Sequence, residues 1–127
     1  MKLNEVLKKL RVPIGLTSAI DGLMSGNLQS IDARTATLKT SLSDAKKRLF
    51  SVKEKRKNAK TDSGYWGYNS QVGYWNCIVN LLEAAEITGM DSLPDVEIPN
   101  IDNMVVMDSA YALEQFGEKV LAEAKRK

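Results

Sequence analysis

Gly64-Tyr65-Trp66 recurs nine residues later as Gly73-Tyr74-Trp75, and with Tyr68 this places five of the chain's eight aromatic side chains within eleven residues. Tyr and Trp offer large contact area at low entropic cost, so they dominate protein-binding hot spots and base-stacking platforms. Directly before them, residues 46–60 hold Lys46, Lys47, Arg48, Lys53, Lys55, Arg56, Lys57 and Lys60 against Glu54 alone, a local charge of +7. Cations followed by stacking surfaces are what a single strand or a nucleotide requires, with Lys/Arg for phosphates and Tyr/Trp for base faces. Tyr65, Trp66 and Tyr68 are therefore the candidate partner contacts. Arg48, Lys53, Lys55, Arg56, Lys57 and Lys60 are the candidate phosphate contacts. Each group also has a structural reading. Tyr74 and Trp75 suit the core of a helix, Tyr65, Trp66 and Tyr68 suit core or contact surface equally, and a run of cations suits a solvated helix face.

Other chemistry is thinly represented. The chain has no histidine, which removes the commonest general base, the Ser/His and Cys/His nucleophile pairs and the usual zinc ligand sets. Cys77 is the only cysteine, so no internal disulfide forms and a reducing, cytoplasmic setting is expected. Asp91, Asp95, Glu97, Asp102 and Asp108 lack calcium-loop spacing and read as surface charge. Phosphate loops, dinucleotide fingerprints and nucleophile elbows are absent. The expectation is a protein that is not an enzyme, with no catalytic residue, cofactor or metal.

These residues need elements to hold them. Leu3, Val6, Leu7 and Leu10 mark a short amphipathic helix over 3–11, stopped by Pro13 and Gly15, and a second short turn runs from Thr17 or Ser18 to Gly26. Together, residues 1–26 read as a cap. A long helix spans 27–59, where Leu28, Ile31, Thr35, Leu38, Leu42, Ala45, Leu49 and Val52 form a heptad seam of coiled-coil type. Its flanks are mostly basic, so two copies would repel one another and an acidic partner helix is the better match. Residues 61–70, rich in Gly, Ser and Asn, read as a loop. The helix over 70–88 is apolar on two sides, Val72, Trp75, Val79 and Leu82 on one and Tyr74, Ile78, Leu81 and Ala85 on the other, so it is expected at the centre. Pro94 and Pro99 keep 89–102 extended. A last helix covers 103–125 with the stripe Val106, Ala110, Leu113, Phe116, Val120 and Ala124.

The expected fold is a single all-α domain, 1–127: a small helical bundle built on a long antiparallel hairpin, with the C-terminal helix alongside and an extended Pro-containing connector. Residues 1–60 carry +9 and residues 61–127 carry −7, so the acidic half is the expected counterpart of the basic helix. No stretch reads as a membrane span or a signal peptide, and a membrane partner is not expected. The favoured function is non-enzymatic protein–protein interaction or assembly, with a protein partner or self-association into an oligomer. Small size and missing enzyme motifs suit a viral or mobile-element accessory or inhibitor protein, in host cytoplasm or virion. The alternative is a nucleic-acid or nucleotide-binding module using the basic run and the Tyr/Trp segment.

Overall fold

A computed structural model of the chain describes residues 1–10, 31–104 and 106–126. The second short turn expected over 17–26, and the start of the long helix at 27–30, lie outside the described residues. Within them the architecture is all-α. Helix α1 spans Leu3–Lys9, α2 Ile31–Lys57, α3 Asp62–Thr88 and α4 Val106–Arg126, with a single 3-10 turn at Ile101–Asn103.

The heptad pattern positions α2. Leu38, Leu42, Ala45 and Val52 are buried and Leu49 packs against the core, while the charged positions between them remain in solvent. Their cover is α3, which runs antiparallel to α2: Arg56 lies level with Asn69, Arg48 with Trp75 and Lys46 with Glu83. The basic seam thus pairs with a helix that carries Asp62, Glu83 and Glu86 and no cation.

Helix α3 is longer than the sequence suggested. Residues 62–70 form its first turns and are not a loop. Three things outweigh the two glycines there, each of which costs about 1 kcal/mol relative to Ala in a helix. Thr61 is extended and its Oγ1 accepts the Gly64 N–H at 3.0 Å, an N-cap that supplies an orphan donor with a partner. Asp62 follows at the positive end of the helix dipole. The Arg56 guanidinium donates to Asn69 Oδ1 at 2.8 Å, tying these turns to α2. At the other end α3 stops at Gly89, whose φ of 93° and ψ of 152° fall where only glycine is comfortable.

As expected of a helix apolar on both sides, α3 is central and packs on both α2 and α4. The α4 contact is built from small residues. A Cβ placed on Gly73 would lie 2.8 Å from the Ala110 carbonyl oxygen, and one on Gly117 would lie 2.8 Å from the Cys77 Cα. Asn76 Nδ2 donates to Glu114 Oε1 at 3.2 Å further along the same seam. The paired positions advance together, so α3 and α4 are parallel. Their connector must climb back along α3 from residue 88 to the level of residue 69, roughly 28 Å at 1.5 Å per residue, and its seventeen or so residues reach about twice that when extended. Leu93 and Pro94 are buried in it, and Val96, Ile98 and Ile101 pack against the core.

Helix α1 closes the bundle at the lower end of α3. Leu3, Val6, Leu7 and Leu10 are all buried in the common core, and backbone hydrogen bonds from Leu3 N to Met90 O (2.7 Å) and from Leu93 N to Met1 O (3.0 Å) fasten it to the connector. Its apolar stripe is spent on the core. Among the described residues no helix is long and apolar enough to cross a membrane.

Candidate functional site

The two Gly-Tyr-Trp repeats share one helix and different fates. Nine residues are two and a half turns, so the pairs point to opposite sides of α3. Tyr74 and Trp75 are half-buried and pack against the core, with the Arg48 guanidinium 5.0 Å above the Trp75 ring. Tyr65 and Trp66 are 41% and 46% exposed and stack edge to face, with centroids 5.2 Å apart and planes at 87°. They stand at the tip of the α2–α3 hairpin on a capped helix. Tyr68, one turn on, is half-buried.

The six candidate phosphate contacts divide in two. Arg48 and Arg56 are engaged by the hairpin itself, over Trp75 and on Asn69. Lys53, Lys55, Lys57 and Lys60 are exposed, and none of the four makes an ion pair among the described residues. The sequence places the acidic half against this run; among the described residues the structure links the two through Lys46 Nζ and Glu83 Oε1 at 3.5 Å. The reason is topological. Helix α3 separates α2 from α4, and Asp91, Asp95, Glu97 and Asp102 lie exposed on the connector that follows the α4 side. Among the described residues, neutralisation of this run within the bundle is therefore weaker than net charges suggest.

One residue of the surface was not singled out from sequence. Phe50 is 66% exposed, beside the seam at a position where a heptad helix meets solvent. It joins two open grooves between α2 and α3. One, about 770 Å³, extends to the tip past Lys55, Lys60, Gly64 and Tyr68. The other, about 480 Å³, extends away from the tip past Leu42, Lys46, Lys47 and Glu86. The signal for Phe50 was available: a lone aromatic off the apolar stripe, among lysines.

Cys77 lies in the α3–α4 seam and is buried. Burial pushes its thiol up from 9.0 to about 12, with a hydrogen bond to the Gly117 backbone pulling partly back. Burial also pushes the Tyr74 hydroxyl from 10.0 to about 12, helped by Cys77. Both groups hold protons more tightly folded than unfolded. Their contribution to stability is fully present below about pH 9 and is lost as pH rises toward 12. The melting temperature should accordingly fall across that alkaline window, less steeply in Cys77→Ala, and the native thiol should resist disulfide-exchange reagents at mildly alkaline pH. Rapid labelling of the folded protein would contradict the placement of this side chain.

Comparison of the chain with protein-family models, with curated proteins and with solved structures found no match in any of the three.

Proposed function

We propose that the chain is a non-enzymatic interaction or assembly protein whose contact surface is the tip and one edge of the α2–α3 hairpin. The observation that carries this reading is the exposure of Tyr65 and Trp66 on a capped helix, together with the exposure of Phe50 on α2. Large aromatics left in water on a regular element, beside others of the same type that are packed, are the usual anchors of a protein contact.

The test compares the full chain with Trp66→Ala. Helical circular dichroism and melting should be nearly unchanged, while association with a second copy or with a partner recovered from the source cell weakens by more than about 1 kcal/mol. Unfolding of the variant, or unaltered association, removes the main residue of the proposal.

The four exposed lysines, without an ion pair among the described residues, support a second reading, binding to a single-stranded nucleic acid. Replacing Lys53, Lys55, Lys57 and Lys60 by Gln would then abolish oligonucleotide binding and flatten its salt dependence by up to about four units, since each phosphate contact contributes about one. On the protein-contact reading the fold survives that change and no oligonucleotide binding is there to lose.

A further inference from the structure

The two grooves that meet at Phe50 form one track. Tyr68 borders the groove at the tip and Glu86 the groove beyond it, and eighteen residues are five full turns, so both belong to the same side of α3. On α2 the track follows Lys39, Ser43, Lys46 and Phe50 toward the tip, at spacings of three and four that keep to one side of that helix. It extends about 27 Å from the level of Lys39 to the end of α2 at 1.5 Å per residue. Exposed Phe50 and half-buried Ala59 and Tyr68 give it apolar surface over a floor that reaches buried Leu42, and Lys39, Lys46, Lys47, Lys55 and Lys60 surround that surface with positive charge.

We infer that this track receives an acidic amphipathic helix from a protein partner, seated antiparallel or parallel between α2 and α3 as a third strand of the coiled-coil pair. The inference rests on the protein-contact reading above and supplies its chemistry. Charge decides the occupant. Five lysines, of which Lys46 is paired with Glu83, stand against Glu54 and Glu86; the net positive charge repels the same face of a second copy, so symmetric self-pairing along this edge is disfavoured. Those two carboxylates, one at the tip half and one at the far end, would each meet a phosphate if a polynucleotide ran the length of the track. A helix with Glu beside a Leu stripe meets the lysines with its flanks and Phe50 with its seam.

The experiment uses the full chain and a synthetic helical peptide of about eighteen residues, long enough to span the track, with Leu at its seam and Glu at its flanks. Three probes accompany it: a peptide of identical composition in scrambled order, one with Gln in place of Glu, and a single-stranded oligothymidine. The acidic amphipathic peptide should bind at physiological salt, with the scrambled and Gln peptides roughly tenfold weaker or worse. Phe50→Ala and the double variant Lys39→Glu, Lys47→Glu should each lower its affinity by about tenfold without change in helicity, because all three side chains are exposed. Equal binding of the ordered and scrambled peptides, or indifference to Phe50→Ala, overturns the track while leaving the Trp66 test of the protein-contact reading intact. Preference for the Gln peptide overturns the acidic partner alone. Oligothymidine binding that exceeds the peptide's and displaces it overturns both readings together.

Discussion

Leu82→Ala is expected to destabilise the protein by about 3 to 5 kcal/mol, a large share of the roughly 5 to 15 kcal/mol that a domain of this size has in total. Leu82 is fully buried and belongs to the stripe of Val72, Trp75 and Val79. Truncation there forfeits the transfer energy of the lost methyl groups and leaves a cavity that α2, held against α3 by its seam from Leu38 to Val52, is poorly placed to fill. The small gain in helix propensity from Leu to Ala is a few tenths of a kcal/mol at most and does not alter the sign. Urea unfolding followed by helical circular dichroism measures the change. Ile87→Ala serves as a control on the same helix, since Ile87 is exposed and should shift stability by no more than about 0.5 kcal/mol. Similar results for the two variants would mean that α3 is not the central helix.

Gly117→Leu should cost about 3 kcal/mol or more, and it tests a different joint. The clash is with backbone: the Cys77 Cα at 2.8 Å and its carbonyl oxygen at 3.2 Å from an added Cβ. A rotamer change cannot relieve that, so α3 and α4 must separate and lose contact along the seam, at a cost above the roughly 1 kcal/mol that a better helix former returns. Gly67→Ala provides the contrast. A Cβ at Gly67 meets nothing within 4 Å, so the variant should be stabilised by about 0.5 to 1 kcal/mol through helix propensity. Opposite signs for two glycines in neighbouring helices are a sharp outcome; a stabilised Gly117→Leu would remove the close α3–α4 contact.

Hydrophobic periodicity made some of this fold legible and left the rest dark. The α2 seam and the two-sided α3 announce themselves because large apolar side chains recur at the helical period. The N-terminal turns of α3 do not, because Ser63, Gly64, Gly67, Asn69 and Ser70 are turn formers by local preference, and it is the Thr61 cap and the Arg56–Asn69 hydrogen bond that settle the matter. The parallel course of α4 was equally hidden. Gly73, Cys77, Ala110 and Gly117 weigh little on any hydropathy scale, although their smallness is what lets the two backbones approach. The candidate surface was half visible. Aromatic spacing pointed to Tyr65 and Trp66, while Phe50 was missed for want of a second apolar residue in its stripe. The charge balance pointed to the right neighbour, since α2 packs on a helix with acids and no cation, but totals for two halves of a chain do not say that this helix lies between α2 and α4.

The connector between α3 and α4 has a consequence for the order of assembly. Contacts of the α2–α3 hairpin begin at Arg56 with Asn69, thirteen residues apart, and each pair formed shortens the loop that the next must close. Contacts of α4 begin at separations near forty residues, Ala110 on Gly73 and Gly117 on Cys77, and none forms until the whole connector has been laid back along the bundle. The hairpin is therefore the early, self-nucleating unit, and α4 docks onto it as a block together with Leu93, Val96 and Ile98. Native-state hydrogen exchange should record that sequence as two levels of protection: amides in the middle of α3 exchange only by global unfolding, while those of α4 exchange earlier and at one common free energy, because they are released together.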